Sequence, residues 1–207
     1  MQIEPLRIDG ALRITPRQHH DERGSFLEWF RGDRFREAMG HGFEMAQANC
    51  SISAAGVLRG VHYTDVPPGQ AKWVTCVSGA VFDVVVDLRI GSPTFGRWDA
   101  VVLDDVDRRA VYVGEGLGHA FLALSDGAAM IYACSSPYDP ERDREIDPFD
   151  AGLAIDWPRT AIDGSPLELR LSEKDGAAPS LAAAGAAGLL PRFEAARDHV
   201  CSLGSAR

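Results

Sequence analysis

A succession of short β-rich runs occupies the chain from about residue 12 to residue 136, and it constrains the fold more than any other feature. Segments with the length and composition of strands lie at 45–52, 57–63, 71–77, 80–88, 98–103, 110–113, 119–124 and 130–134. Turn signals rich in glycine, proline and aspartate separate them, at 21–24, 67–69, 78–79 and 91–93. Many short strands joined by such turns predict a sandwich or barrel.

Helix is scarce until the end of the chain. One short helix is predicted over 33–39, with Asp33 capping its first turn. An alanine-rich stretch from Ser180 onward also has helical composition, interrupted by a glycine and a proline. We therefore predict a β core over about 3–180 and a short helical tail over about 181–207 that packs against it.

Length and charge restrict the possible functions. The 207 residues, 45% hydrophobic and 25% charged, suit one globular domain over 1–207. The formal net charge of -9 argues against sequence-independent binding to nucleic acid or to an anionic membrane, since both require a basic surface. No apolar run reaches the roughly 20 residues of a membrane span, and no leader pattern is visible, so we expect a cytoplasmic protein.

The four cysteines do not form a recognisable pattern. Cys50, Cys76, Cys134 and Cys201 lie far apart and contain no CxxC pair. Neither a disulfide framework nor a zinc site is indicated. Three of these cysteines fall in predicted strands, where we expect them to be small buried apolar residues.

The alternation of side chains along a strand bears on two candidate site residues. A regular strand over 57–63 places Arg59 and His62 on opposite faces. Gly60 lies between them and is a candidate for a β-bulge, a feature that re-aims side chains and is frequent next to active sites. The sequence leaves both arrangements open.

The same alternation groups other polar residues. Gln47 and Asn49 share a face of the predicted strand over 45–52. Lys72 lies near the start of the predicted strand over 71–77. Asp83 and Asp87 share a face of a strand that is otherwise rich in valine. We expect these two carboxylates to face a polar lumen or solvent. Taken singly, each such residue is ordinary for a structural or surface position.

Together these residues form an ordered set of motifs, which resembles the dTDP-4-dehydrorhamnose 3,5-epimerase family of deoxysugar biosynthesis over about residues 3–180. The motifs are Asp21-x-Arg23-Gly24-x-Phe26-x-Glu28, Gln47-x-Asn49-x-Ser51, Leu58-Arg59-Gly60-Val61-His62-Tyr63, Gln70-Ala71-Lys72, His119-x-Phe121, Tyr132-x-Cys134, Tyr138-x-Pro140 and Leu171-Ser172-x-Lys174-Asp175. The resemblance implies a mostly β cupin-type jelly roll (double-stranded β-helix). It also implies a homodimer that exchanges N-terminal strands.

The resemblance further implies a reaction. It is the inversion of carbons 3 and 5 of dTDP-4-keto-6-deoxy-D-glucose to give dTDP-4-keto-L-rhamnose, through enolates formed next to the ketone. By resemblance His62 is the general base and Asp175 its partner. Lys72 stabilises the oxyanion and Tyr132 returns a proton from the opposite face. The reaction implied needs neither a metal nor an organic cofactor.

The remaining matched positions are implied to bind the nucleotide sugar. Arg23 and Arg59 resemble the diphosphate ligands of the family, and a guanidinium group can bind two phosphate oxygens at once. Tyr138 is implied to stack on the thymine ring, and His119 to support Lys72 together with Asp83. The substrate-binding positions are Arg23, Phe26, Glu28, Gln47, Asn49, Arg59, His119 and Tyr138.

Three alternatives remain from the sequence. A single-site 3- or 5-epimerase of an antibiotic pathway is the nearest, because Gly118-His119-Ala120-Phe121 replaces the usual Ala-His-Gly-Phe, and we expect the added methyl to reshape the pocket floor. A metal-dependent cupin enzyme is more remote, since it requires an HxH spacing that is missing after His62. A non-enzymatic sugar-binding module is the third.

Overall fold

The computed structural model describes residues 1–205 and contains thirteen strands and four helices within them. The last two residues of the predicted tail, 206–207, lie outside the described residues. The strands are β1 Gln2–Pro5, β2 Ala11–Thr15, β3 Gln18–Asp21, β4 Gly24–Leu27, β5 Gln47–Ser53, β6 Leu58–Thr64, β7 Lys72–Ser78, β8 Ala80–Asp87, β9 Trp98–Asp104, β10 Ala110–Val113, β11 Leu117–Ala123, β12 Ala128–Cys134 and β13 Asp143–Glu145. The helices are α1 Gly32–Met39, α2 Glu173–Gly176, α3 Leu181–Ala186 and α4 Phe193–Ser205. In this part of the chain no helix is both long and apolar enough to span a membrane.

Two antiparallel sheets face each other and form the barrel. One has six strands in the order β1-β2-β10-β7-β12-β5, and the other has five in the order β13-β6-β11-β8-β9. Strands β3 and β4 form a separate hairpin. The prediction of a mostly β, cupin-type jelly roll with a short helical tail is confirmed.

Alternating side chains divide the core into three clusters. Valines of β7, β8 and β10 meet Phe121 and Met130 in a lumenal cluster drawn from both sheets. The outer face of the five-stranded sheet is covered by the C-terminal part of the chain, through residues such as Trp157 and Leu190. The outer face of the six-stranded sheet is covered by α1, whose Phe35 is fully buried. The lumen is therefore walled on both sides by packed apolar layers.

The predicted strands agree with the observed ones within two residues at each end. The sequence did not predict β1 to β4, β13 or α2, because these elements have only three to five residues, and all of them except β2 are mostly polar or exposed. In α1 the predicted cap is wrong: Arg31 is the N-cap residue and contributes no side-chain bond. Asp33 lies inside the first turn and pairs with Arg31 (Nε to Oδ1, 3.0 Å).

The cysteines are all free, and two of the three in predicted strands are buried as expected. Cys76 and Cys134 are buried, whereas Cys50 and Cys201 are exposed. The expectation for Cys50 was wrong because β5 is an edge strand of the six-stranded sheet and this residue points away from the lumen.

The two strand carboxylates are buried rather than exposed to solvent. Asp83 is 1% exposed and Asp87 is fully buried. Asp87 accepts hydrogen bonds from Arg89 (Nε, 2.9 Å), Ser92 (Oγ, 2.5 Å) and Thr94 (Oγ1, 2.6 Å). Burial raises the pKa of Asp87, but these hydrogen bonds together outweigh burial and leave the pKa below its ordinary value. Asp87 is therefore part of a closed structural ion pair and does not serve the candidate site.

Candidate active site

A histidine and an aspartate from distant parts of the chain form the centre of the site. His62 lies on β6, and its Nε2 is 2.7 Å from Asp175 Oδ1. About a third of the His62 side chain is exposed, whereas Asp175 is buried. Because Asp175 engages Nε2, the other ring nitrogen, Nδ1, is the one that can exchange a proton with a ligand.

The short helix α2 holds Asp175 in place. Ser172 is its N-cap residue and accepts a hydrogen bond from the Asp175 backbone N–H, while Ser172 Oγ donates to Asp175 Oδ2 at 2.8 Å. Burial alone raises the pKa of Asp175, but the hydrogen bonds from His62 and Ser172 outweigh burial. The pKa of this carboxyl therefore lies below its ordinary value, and it stays ionised beside the imidazole.

A β-bulge at Gly60 determines which way His62 points. His119 pairs with His62 across β11 and β6, but Phe121 pairs with Arg59, so two residues of β6 face one residue of β11. As a result Arg59 and His62 both line the cavity, whereas Val61 packs in the outer core. The hypothesis of a bulge is confirmed, and the divergent arrangement is excluded.

The bulge needs glycine at this position. Gly60 has φ of +106°, and a Cβ here would lie 2.5 Å from the His119 backbone oxygen and 2.8 Å from Ala120 Cβ. Neither atom belongs to a flexible side chain end. A side chain at residue 60 would therefore push β6 away from β11 and displace His62.

Lys72 begins β7 and lies opposite Cys134 of β12. The residue is only 9% exposed, and within residues 1–205 it forms no ion pair. Burial lowers the pKa of Lys72, while nearby Cys134, Asp143 and Asp83 act in the opposite direction. The structure thus provides a desolvated ammonium group without a bound counter-ion, which suits it to meet a developing negative charge.

His119 and Asp83 form a second buried pair. His119 Nε2 lies 2.7 Å from Asp83 Oδ2, and both side chains are almost fully buried. The other oxygen of Asp83 has no hydrogen-bond partner within the described residues. The charge of Asp83 also acts to raise the pKa of Lys72, against the larger effect of burial.

Tyr132 lies on β12, opposite Asn49 of β5 and Val74 of β7, and its ring packs against the lumenal cluster. Burial raises the pKa of Tyr132, and the charge of Arg59 partly opposes this effect. The phenol therefore keeps its proton at neutral pH and can donate it.

Three predicted binding residues are tied together by hydrogen bonds. Gln47 Nε2 donates to Asn49 Oδ1 at 2.8 Å, and Gln47 Oε1 accepts from the Tyr138 backbone N–H at 2.8 Å. The Tyr138 ring is more than half exposed and lines the cavity. An exposed ring beside a polar pair offers a stacking surface for a base.

A cavity of about 320 Å³ opens beside His62. It is lined by Val57, Leu58, Arg59, His62, Tyr138, Asp143, Arg170, Leu171, Ser172, Lys174 and Asp175. The sequence did not predict Asp143 or Lys174 as site residues. Asp143 lies in a run of alternating charges that resembles a solvated surface, and only the proximity of Lys174 to Asp175 in the chain gave a signal.

Several predicted site residues do not line this cavity within the chain, namely Arg23, Phe26, Glu28, Gln47, Asn49 and His119 of the predicted binding set and Lys72 and Tyr132 of the predicted catalytic set. Arg23 lies in the β3–β4 turn, is 85% exposed and pairs with Asp21. Phe26 is 69% exposed on β4, and Glu28 contacts Arg31 at 3.5 Å. Strands β3 and β4 form a sheet of their own, and Arg23, Phe26 and Glu28 do not line the cavity beside His62.

The expectation for Ala120 was geometrically wrong. His119 and Phe121 point into the lumen, so the residues that alternate with them, Gly118 and Ala120, face the outer core. A Cβ at Gly118 would lie 2.7 Å from Val61 Cγ1, which explains the glycine. The methyl group of Ala120 therefore does not form the pocket floor, and this departure from the family pattern gives no support to a single-site reaction.

The fold and these side chains together define a cupin-type barrel that carries groups suited to acid–base chemistry, among them the His62–Asp175 pair. The family model of dTDP-4-dehydrorhamnose 3,5-epimerase matches residues 5–183. The chain is 59% identical to the dTDP-4-dehydrorhamnose 3,5-epimerase of Mycolicibacterium smegmatis over 93% of its own length and 92% of the relative's. The chain belongs to the dTDP-4-dehydrorhamnose 3,5-epimerase family and is an isomerase of that type, as its motifs indicated.

Two solved structures are similar along almost the whole chain. The Mycobacterium tuberculosis rmlC epimerase is 52% identical with a TM-score of 0.93, and the match covers 98% of this chain and 100% of that one. ChmJ, a 3'-monoepimerase from Streptomyces bikiniensis in complex with dTDP-quinovose, is 49% identical with a TM-score of 0.92, covering 98% and 99%. Relatives of both reaction types therefore share this fold at similar identity.

Proposed function

We propose that this protein inverts carbons 3 and 5 of dTDP-4-keto-6-deoxy-D-glucose, giving dTDP-4-keto-L-rhamnose. The observation that carries the proposal is the 2.7 Å contact between His62 and Asp175 at the edge of the cavity. A C–H bond next to a ketone loses its proton only to a positioned base, and an imidazole with an ionised carboxylate behind it is such a base.

The walls of the barrel suit an inversion. His62 belongs to the five-stranded sheet, whereas Tyr132 and Lys72 belong to the six-stranded sheet that faces it. His62 Nδ1 removes the proton from one face of the sugar, and Tyr132 returns a proton to the other face. Lys72 stabilises the enolate oxygen, because a desolvated ammonium group interacts strongly with developing charge.

The substrate's other groups would meet the remaining polar residues. In this proposal Arg59 binds the diphosphate and Tyr138 stacks on the thymine ring, which is supported by their position in the cavity lining. Gln47 and Asn49 are linked to Tyr138 by hydrogen bonds. ChmJ was solved with dTDP-quinovose bound, which supports a dTDP-sugar as ligand for this chain. None of these roles requires a metal or organic cofactor.

Solvent deuterium incorporation tests the proposal. The enzyme is incubated with dTDP-4-keto-6-deoxy-D-glucose in deuterated water, and the product is analysed by mass spectrometry. Two exchanged carbon positions are expected. One exchanged position would establish the single-site 3- or 5-epimerase instead, and the absence of exchange with wild-type enzyme would refute proton abstraction altogether. His62→Asn is the control and is expected to show no exchange.

We also propose a homodimer in which the N-terminal part of each chain is exchanged. Three apolar residues are more than 60% exposed: Phe26 on β4, Met45 just before β5 and Ile52 on β5. Exposed apolar surface of this kind is usually covered by a partner. An exchanged hairpin would bring Arg23, Phe26 and Glu28 to the partner's cavity, which explains their separation from His62 within one chain. The four free cysteines suit a reducing compartment, and we propose the cytoplasm.

A subunit complementation experiment tests the exchange. Arg23→Ala and His62→Asn chains are each expected to be inactive as homodimers. A mixed dimer of the two has one intact site if Arg23 serves the partner's cavity, so about half of the wild-type activity per dimer returns. If Arg23 served its own chain's cavity, both sites of the mixed dimer would be defective and no activity would return.

A further inference from the structure

A second and larger cavity lies outside the barrel. Its volume is about 860 Å³, and it is bounded by the end of α1, the loop over 40–44 and the end of α4. It shares no lining residue with the cavity beside His62. A volume of this size is typical of a small-molecule site.

Two buried polar side chains of this cavity each leave one atom without a hydrogen-bond partner. His41 and Glu115 are each 4% exposed and line the cavity. Neither His41 Nε2 nor Glu115 Oε2 has a hydrogen-bond partner within residues 1–205. Buried polar atoms are nearly always paired, so two unpaired atoms around one cavity indicate a missing ligand.

When the His41 imidazole is neutral, both unpaired atoms are hydrogen-bond acceptors. His41 Nδ1 lies 3.0 Å from the Gly42 carbonyl oxygen and donates to it, which leaves a lone pair on Nε2. The carboxyl oxygen of Glu115 also accepts. Tyr112 and Phe43 supply aromatic walls. A carboxyl group, an imidazole lone pair and aromatic rings together favour an organic ammonium group.

The edge of the same cavity carries positive charge. Arg36 is exposed and forms no ion pair within the described residues. Its guanidinium group lies close to Gly42, since a Cβ added at Gly42 would be 3.2 Å from Arg36 Nη2. His199 of α4 lines the cavity as well. A guanidinium group without a carboxylate partner is suited to an anionic group such as a phosphate.

We propose that this outer cavity binds a small molecule with an ammonium group at one end and a phosphate at the other, as in an amino-sugar phosphate. The ammonium group contacts Glu115 and His41, and the phosphate contacts Arg36. The site is independent of the reaction in the barrel.

Calorimetric titration with three probes tests the ligand class. Glucosamine 6-phosphate carries both groups, glucose 6-phosphate lacks the ammonium group and glucosamine lacks the phosphate. We expect the first to bind at least about tenfold more tightly than either of the others, since each charged contact contributes about that factor. No binding of glucosamine 6-phosphate, or binding no tighter than that of the other two, would overturn the proposal.

Variants and competition test the location. Glu115→Gln is expected to weaken glucosamine 6-phosphate binding at least about tenfold, whereas Glu44→Gln, at an exposed acid of the same cavity, leaves it within about twofold. If Glu115→Gln does not fold, Leu203→Trp provides the test, because a larger side chain on α4 fills the cavity. Unchanged affinity in Glu115→Gln or Leu203→Trp, or displacement of the probe by dTDP, would place the probe elsewhere and refute the site.

Discussion

His62 Nε2 and Asp175 Oδ1 lie 2.7 Å apart although 113 positions separate the two residues in the chain. The contact depends on Ser172, which caps α2 and fixes the second carboxylate oxygen at 2.8 Å. Removing the carboxylate charge removes the group that orients the imidazole and stabilises its protonated form.

Asp175→Asn is therefore expected to lower kcat/KM about 10²-fold or more, within the range of general base catalysis. Ser172→Ala, which keeps the carboxylate and loses the two hydrogen bonds that Ser172 Oγ makes with Asp175, is the matched control and should cost less than about tenfold. Steady-state kinetics on folded protein measures both. Equal activity of Asp175→Asn and wild type would show that the pair is only structural.

Lys72→Met is expected to lower kcat about 10²- to 10³-fold, as for the loss of an oxyanion donor. Affinity for dTDP should remain, because the ammonium group acts at the sugar rather than at the nucleotide. Lys174→Met is the matched control: Lys174 lines the cavity beside His62, but it is half exposed and paired with Asp143 and Glu145. A similar loss in both variants would contradict a special role for Lys72.

The pH dependence provides a separate test of Lys72. Because burial lowers its pKa from 10.5, the ammonium group loses its proton at a lower pH than an exposed lysine, and kcat/KM falls as pH rises through that value. Asp143 raises the pKa of Lys72, so Asp143→Asn should move the basic limb of the pH profile to lower pH. Asp143 also raises the pKa of Tyr132. If the basic limb of the pH profile still moves when Asp143→Asn is introduced into the Lys72→Met variant, the limb reports the titration of Tyr132 rather than of Lys72.

Much of the fold was predictable because strand alternation and turn residues are local signals. The eight predicted strands correspond to β5 to β12, and these form most of both sheets. The motifs also predicted His62, Lys72, Tyr132 and Asp175, but no local rule states that Asp175 reaches His62. That contact depends on how the C-terminal segment crosses the outer face of the five-stranded sheet.

Other parts of the site were not predictable for specific physical reasons. Asp143 gains its role from pairing with Thr64 across β13 and β6, a long-range contact in a polar segment. Ala120 does not belong to the pocket floor, because His119 points inward on β11 and the neighbouring Ala120 therefore points outward. The outer cavity arises where α1 and α4 meet, which sequence periodicity does not describe.

The bulge at Gly60 leads to a paired prediction. Gly60→Ala introduces a Cβ within 2.5 Å of the His119 backbone oxygen, in addition to the strain of positive φ. Gly91→Ala is the control, since Gly91 has φ of +90° but no atom within 4 Å of the added Cβ. We expect Gly91→Ala to lose about 1–3 kcal/mol of stability with unchanged kcat/KM, and Gly60→Ala to lose more and to lower kcat/KM as well. Unchanged kinetics in Gly60→Ala would show that the bulge does not position His62.

Asp87 allows the barrel's stability to be separated from its chemistry. Asp87→Ala leaves Arg89 buried without its partner and is expected to lower the free energy of unfolding by about 3–5 kcal/mol in denaturant titrations at pH 7. Asp107→Ala, which breaks the exposed pair with Arg109, should change the free energy of unfolding by about 0–1 kcal/mol.

The folded-state pKa of Asp87 lies below its unfolded-state pKa. The stabilisation by Asp87 is therefore complete above the unfolded-state pKa of about 3.9 and is lost as pH falls through the folded-state pKa. The difference in the free energy of unfolding between wild type and Asp87→Ala should therefore shrink below about pH 4. A difference that instead grew towards acid pH would show that Asp87 is not ionised in the folded protein.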